Sequence, residues 1–419
     1  MTVKSSVTLE LDAPSREAAK PHIRSVPLED LPTLLTRSVT LLFAVTCGLA
    51  VANVYFAQPL LDSMAESLAV PSSRIGIVVT LTQIGYAIGL LFVVPLGDLL
   101  DRKWLVIGQM VLSTVALGAV ALAPNFSWLL AAMWMVGSMA VVVQVLVAYT
   151  AALAKPSERG QAIGTVTSGI VLGILLARFV SGVVADVAGW RGVYCVSAVL
   201  MLAMALVLWR VLPVQPLGRV KTRYGALLLS VFHLYREERT LRVRGILALL
   251  IFAAFSVLWT SMVLPLSAAP FNLSHTQIGL FGLAGVAGAL AASKAGRWAD
   301  RGLGQRTSGI ALALLTLSWL PNAFVEYSLL ALVAGVVVLD FAVQAVHVTN
   351  QSLIFAARPD AQSRLVGAYM CFYSIGSALG AIAATQMYAA WGWKAVCLLG
   401  ATISATALVY WFFTRKAQL

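Results

Sequence analysis

Asp340, Gln344, His347 and Gln351 lie in a stretch, residues 328–351, that is otherwise almost wholly apolar. At about 100° per residue along a helix, all four fall within roughly 60° of arc and form one polar stripe. Asn350 falls to the side of it. Such a stripe suits a face turned towards a cavity rather than towards lipid. Asp340 is near the middle of the stretch, and His347 lies about 10 Å further along at ~1.5 Å rise per residue. An ionisable group at mid-membrane costs roughly 2.5–3.5 kcal/mol even on the lenient insertion scale. A carboxyl and an imidazole withdrawn from water can both exchange protons near neutral pH, which suits a carrier driven by a proton gradient. The other role open to Asp340 is interhelical glue, bonded to a neighbouring backbone or hydroxyl. No other acid falls near the middle of an apolar stretch; Asp62 and Asp186 sit at the ends of theirs, near water.

Arg178 is the second deep charge, in the outer third of its stretch. Three roles are open to it: snorkelling outward along its stem, pairing with Asp340 across a cavity, or attracting an anionic substrate group. Asp340, His347 and Arg178 are therefore the candidates for proton coupling. Candidates for lining a substrate cavity are Asn53, Tyr55, Gln58, Gln83, Tyr86, Gln144, Trp259, Gln344, Gln351, Tyr369 and Tyr373. Most of them join an apolar body to a hydrogen-bonding tip, which suits a mid-sized organic molecule. Each could equally serve helix packing. Pro59, next to Gln58, loosens a backbone hydrogen bond near the outer end of its helix, for gating or simply to end it.

The elements that must position these residues follow from composition. The chain has 419 residues, 60% hydrophobic and 11% charged, with a mean hydropathy of +0.89. Soluble domains run near ~25% charged, so lipid is the main solvent here. Twelve apolar spans can be placed, at 39–61, 75–96, 104–123, 127–149, 161–183, 192–212, 245–267, 277–295, 307–325, 328–351, 365–387 and 394–414. Each approaches the ~20 residues that cross a bilayer as a helix. The periodicity is helical, not the alternation of a barrel strand. Of 29 Lys and Arg residues, only Arg74, Arg191 and Lys394 fall in the loops on one side, and Arg178 within a span. The rest, including the run Arg236, Arg239, Arg242 and Arg244 before span 7, fall on the side of the N-terminal tail. The positive-inside rule puts both termini in the cytoplasm. The net charge of +12 is thus a topology signal, and no nucleic-acid partner is expected. The four cysteines fall in or beside the spans without metal-ligand spacing and read as small core residues; no metal or cofactor is expected.

The longest polar break, 213–243, divides the spans six and six. Within it, "YGALLLSVFHLY" is amphipathic and suits a helix along the membrane surface. The halves repeat each other: "GWRGVY" at 189–194 matches "GWKAVC" at 392–397, an offset of 203, which also pairs Gly164 with Gly367, Gly173 with Gly376, and Gln144 with His347. A second match joins "GDLLDR" (97–102) to "GRWADR" (296–301). Duplicated six-helix halves are the architecture of an alternating-access carrier. The expected fold is an all-α membrane protein of twelve transmembrane helices in two pseudo-symmetric six-helix bundles. The segments are a flexible cytoplasmic tail 1–37, an N-terminal bundle 38–212, a linker 213–243, a C-terminal bundle 244–414 and a tail 415–419.

Over residues 38–414 the sequence resembles the major facilitator superfamily. "GDLLDRK" looks like that family's Gly-x-x-x-Asp-Arg loop, whose charges latch one conformation; the resemblance assigns this role to Gly97, Asp101 and Arg102, and in the second half to Gly296, Asp300 and Arg301. Trp104 follows Lys103 where the family has a later glycine. Span 5, with Gly164, Gly173, Ala177 and Ser181, is similar to the antiporter helix motif, with Ala177-Arg178 in place of Gly-Pro, and its small residues also suit close packing. "NVYFAQPLL" (53–61), "GILLARFVSG" (173–182) and "LDFAVQAVHVTNQ" (339–351) resemble a bacterial proton-driven efflux branch that carries drugs, sugars and nucleosides.

No Walker loop or nucleophile elbow occurs, and the four histidines are far apart in sequence, so an enzyme is not expected. The combined expectation is a monomeric secondary transporter of the bacterial inner membrane, exporting a small organic compound in exchange for protons. The alternative within transport is proton-coupled uptake. The alternative from another class is a multi-span sensor or enzyme. The sequence leaves the substrate open, since Tyr, Trp, Asn and Gln suit sugars, nucleosides and drugs alike.

Overall fold

The computed structural model describes residues 36–154, 158–212, 224–285, 298, 302–357 and 362–415, and among them every regular element is helical. Among the described residues eight helices are long and apolar enough to cross a membrane. Six carry one span each: span 1 (Arg37–Ser67), span 2 (Ser72–Gly97), span 3 (Arg102–Ala121), span 4 (Phe126–Leu153), span 7 (Arg239–Ser267) and span 10 (Leu329–Ile354). The other two carry a pair. Spans 5 and 6 run as Arg159–Val211, broken at Gly189 with φ 70°. Spans 11 and 12 run as Gln362–Thr414, broken at Gly392 with φ 72°. That left-handed conformation is cheap only for glycine. Both breaks fall in the repeated Gly-Trp motif, so the sequence duplication is a structural one. The described part of span 8 is His275–Leu280 with the turn Phe281–Ala284, and span 9 is Gly304–Leu317 followed by Trp319–Ala323. The chain is therefore a twelve-helix bundle of two repeated halves.

Local signals set the helix ends. Thr36, Asp101 and Asn125 accept hydrogen bonds from Val39, Lys103 and Trp128 backbone N–H groups, capping spans 1, 3 and 4. Ser274 and Gln277 form a reciprocal capping box at the start of span 8. Pro59 interrupts span 1: the helix Arg37–Tyr55 gives way to a 3-10 turn, Gln58–Leu60, before Leu61–Ser67. The amphipathic part of the linker is the helix Tyr224–Glu237, with Val231 and Leu234 buried. Its Tyr224 and Tyr235 hydroxyls donate to the Phe92 and Ala368 carbonyls at 2.7 and 2.8 Å, so it touches spans 2 and 11.

Small residues let the helices touch backbone to backbone. A Cβ on Gly173 of span 5 would strike the Gly48 carbonyl of span 1, and one on Gly169 the Ala44 carbonyl. The second half repeats this arrangement, with Gly376 and Gly380 of span 11 against the Leu249 and Ala253 carbonyls of span 7. Without a hydrophobic force between helices in lipid, such close approach is what holds them together. Gly164, expected on the same face, has open space around it.

The halves meet at the end of the bundle away from the basic loops. Spans 5 and 8 pack there through Gly182 against His275 and Gly279 against Arg178 and Phe179. Spans 2 and 11 pack through Gly76 against Thr385, with the Thr80 hydroxyl donating to the Ala378 carbonyl at 2.9 Å. At the basic end a cavity of about 380 Å³ remains, lined by residues including Leu90, Val94, Ala148, Leu227 and Arg364. By the charge rule this is a conformation closed to the outside and hollow towards the cytoplasm.

The span 1–span 5 contact generates a stability test. In detergent-solubilised protein, Gly173→Ala should lower thermal stability by about 1–3 kcal/mol, the usual cost of overpacking. Gly164→Ala should leave the melting temperature unchanged, since nothing lies within 4 Å of its added Cβ.

Candidate functional site

Arg178 points into the bundle rather than snorkelling. Its side chain is 3% exposed, and its Nε donates to Gln58 Oε1 at 2.8 Å. Three rings surround the guanidinium carbon: Trp259 at 3.8 Å, Tyr55 at 5.1 Å and Phe255 at 5.5 Å to the centroids. Cation–π contact of this kind reaches about 2 kcal/mol or more when desolvated. Tyr55 and Gln58 come from span 1, Phe255 and Trp259 from span 7, so the cage is closed by both halves. Nη2 is buried with no hydrogen-bond partner among the described residues.

Asp340, 4% exposed, faces the same cage from span 10. Its Oδ1 accepts from Trp259 Nε1 at 3.1 Å. Trp259 thus touches Arg178 with its ring face and Asp340 with its N–H. Among the described residues no direct ion pair joins Arg178 to Asp340. The two groups of opposite sign share one buried site, each in contact with the Trp259 indole.

Towards the basic end a layer of aromatic and polar side chains follows, with His347 of the stripe within it. The Tyr55 and Tyr373 hydroxyls are 2.6 Å apart, linking span 1 to span 11. Tyr373 stacks edge-on to Phe252 at 4.2 Å, and Phe252 to His347 at 5.1 Å. His347 Nδ1 lies 3.0 Å from the Tyr369 hydroxyl. Tyr86 lies across from Tyr373 at 6.4 Å, and the Gln144 amide reaches its hydroxyl at 3.4 Å. Gln144 and His347, paired by the repeat, thus both touch this aromatic layer. Gln83 is buried, with its Oε1 unpartnered, while Gln344 and Gln351 are half-buried. Asn53 faces elsewhere: its Oδ1 accepts from Ser197 of span 6, inside the first half.

Some buried polar contacts near this layer were not visible in the sequence. Arg244, counted among the basic loop residues, is fully buried and donates to Ser308 at 3.2 Å and Asn350 at 3.3 Å. Asn350, off the stripe, also reaches the Tyr369 hydroxyl at 3.4 Å, so it ties Arg244 to the His347 group. A buried arginine and a side-facing asparagine are each ambiguous alone; only their partners, 106 positions apart, give them a role. The loop motif is partly local here. Asp101 caps span 3, and Arg102 Nε donates to the Gly97 carbonyl at 3.1 Å. Gly296, Asp300 and Arg301 lie outside the described residues.

The outer closure carries its own charge cluster. His275, at the start of span 8, places Nε2 at 2.7 Å from the Ser63 hydroxyl and 3.2 Å from Asp62 Oδ1. Its Nδ1 lies 3.1 Å from Asp186 Oδ1, and the His275 and Thr276 backbone N–H groups donate to the same carboxylate. With a carboxylate at each ring nitrogen, the protonated imidazolium is favoured. The Asp62 hydrogen bond raises the His275 pKa above its ordinary value and outweighs burial, which lowers it; Asp186 raises it further. One side chain of the second half thereby clamps the ends of spans 1 and 5.

Two repeated helical halves, one closed end, one hollow end and a dry charged site at their interface define the class of secondary transporters. The major facilitator superfamily description matches residues 41–264 and 244–419, and the chain belongs to this family. It is 45% identical over 90% of its length, and 96% of the relative's, to the transporter YgaY of Escherichia coli (strain K12), itself uncharacterised. It is 26% identical to the inner membrane transport protein YnfM of the same strain, over 61% of this chain and 62% of that one. Among solved structures it resembles a bacterial homologue of the human lysosomal transporter Spinster in an inward-facing, occupied conformation. The TM-score is 0.78 at 14% identity, covering 90% of this chain and 96% of that one.

The clamp has a definite pH dependence. Its full strength is present below the ordinary histidine pKa of ~6.5 and is lost as the pH rises through the raised value of the closed state. Spin labels on Glu66 and Lys394, both exposed at this end, report the gap between the halves. Alkaline pH and His275→Ala should each lengthen their separation, with a population change of about fivefold for the ~1 kcal/mol of such a hydrogen bond. Distances independent of pH and of His275 would remove the clamp.

Proposed function

We propose that the protein is a proton-coupled secondary transporter of a small organic compound in the bacterial inner membrane. It works by alternating access, and Asp340 carries the proton. The observation that carries this reading is the placement of Asp340: a buried acid at the junction of the halves, bonded to Trp259 beside Arg178. A group whose charge changes there alters contacts that only one conformation makes, which is the physical requirement for coupling. The contact of His347 with the Tyr369 hydroxyl supports a proton route on the cytoplasmic side of the site, with the Phe252 ring between it and Tyr373. Export in exchange for protons is the direction that the efflux-branch resemblance supports, and the inner-membrane relative supports the location. The second reading, transport of proton and substrate together, is favoured by the unpartnered Nη2 of Arg178.

Asp340→Asn keeps size and hydrogen bonding but fixes the neutral state. In proteoliposomes holding a pH-sensitive dye and screened against a compound library, the variant should still exchange substrate. It should lose gradient-driven accumulation and substrate-evoked proton movement by at least about tenfold. His347→Gln should give a smaller defect, seen mainly as a shifted pH profile. Proton coupling at the wild-type rate in Asp340→Asn would leave the carboxyl as structural glue.

A further inference from the structure

We infer that the substrate is an organic anion with a flat, apolar body, whose acidic group binds Arg178 at the junction of the halves. The inference deepens the reading of this site as the transport site and rests on it. The site's charge decides the class of ligand. With Asp340 ionised, Arg178 and Asp340 sum to zero; with Asp340 protonated, the site is +1. Neither state is negative, so a cation never finds a complementary charge there, whereas an anion does whenever Asp340 is neutral.

Geometry agrees with the charge. Nη2 of a side chain that is 3% exposed has no partner among the described residues, although a buried guanidinium normally fills its donors. Gln58 already holds Nε, and Trp259, Tyr55 and Phe255 hold only the faces of the group. The open donor lies in the guanidinium plane, where a carboxylate accepts. The remaining surroundings are apolar or aromatic, including Met262, Val263 and Ile278. They suit a hydrocarbon or aromatic body rather than a sugar, which needs many hydrogen-bond partners.

The void beside Arg178 is about 10 Å³, the space of one water. An organic anion therefore enters only when the halves part and lift Trp259 and Phe255 away from the guanidinium. Its acidic group then replaces the rings as the partner of the charge. In this way the ligand repays the exposure of Arg178 and favours a conformation the empty protein avoids.

Protonation and binding are linked by the same charges. Asp340 is faced by Arg178 from span 5, Trp259 from span 7, the Tyr55 hydroxyl from span 1 and the backbone at Gly285 of span 8. An arriving anion meets repulsion from ionised Asp340 and none from the neutral acid. Anion binding thus tightens as pH falls, a linkage that belongs to the second reading above, proton and substrate carried together, and not to exchange.

The test uses the purified full-length protein in detergent, with no gradient, so it is independent of coupling. Benzoate and 2-naphthoate are compared with benzamide and 2-naphthamide, the same shapes without charge, and with benzylammonium. Binding is read as thermal stabilisation over a concentration series. An acid should stabilise the protein, and its amide and the ammonium should not. Arg178→Gln should weaken acid binding by at least about thirtyfold, as loss of a desolvated charge partner does. Arg178→Lys should retain part of it. Asp340→Asn should bind the acid at least as tightly as wild type, with the pH dependence gone. Stabilisation by the amide or ammonium instead of the acid would overturn the inference, as would acid binding of wild-type strength in Arg178→Gln. The proton-carrier reading of Asp340 fails separately, through retained coupling in proteoliposomes.

Discussion

A guanidinium cannot give up its proton at any physiological pH, so Arg178 carries its charge wherever the fold places it. It lies buried away from bulk water, and an isolated buried charge is among the most costly things a protein can hold. Much of the central structure answers that constraint. Three rings supply quadrupole contact, Gln58 supplies an acceptor, and Asp340 supplies the opposite charge across an indole. These partners come from spans 1, 7 and 10, so the charge is well housed only while the two halves are together at this level. Separating them there uncovers the guanidinium. The conformational equilibrium is thereby tied to whatever else can satisfy Arg178.

The rest of the architecture sets how the halves can move. Glycine contacts between spans 1 and 5, and again between spans 7 and 11, bind each half internally at backbone distance. Contacts between the halves, spans 5 with 8 and spans 2 with 11, are related by the same internal repeat. They are built from small residues and a few side-chain hydrogen bonds, which can break without opening a core. At the basic end the linker helix bridges spans 2 and 11 through two tyrosines beside the open cavity. The arrangement is that of two stiff bodies rocking about a central charged site, with His275 as an additional tie at the closed end.

Much of this was legible in the sequence, because lipid imposes length and periodicity directly. The spans, the six-plus-six division and the Gly189/Gly392 correspondence follow from apolar runs and a repeated motif. The stripe of Asp340 and His347 was readable because helical period fixes which residues share a face. What periodicity cannot give is the partner. Asp340 could have met Arg178, a hydroxyl or a backbone group; the structure gives it the Trp259 N–H. Asn53 reads like a cavity residue, yet Ser197 of its own half takes it. Arg244 illustrates the limit of counting charges by loop. Its helix starts at Arg239, so it already lies more than a turn inside, where Ser308 and Asn350 are waiting. His275 gave no signal at all, since Asp62 and Asp186 meet it only through the packing of three spans.

The central claim is that Arg178 and Asp340 act as one unit across Trp259. A double-mutant cycle on thermal stability in detergent, with Arg178→Gln, Asp340→Asn and the pair, tests it most directly. Each single variant strands the opposite charge in a dry site; the pair leaves none. The account predicts a coupling of roughly 1–3 kcal/mol, with the double variant at least as stable as either single one. Stability losses that simply add would contradict it.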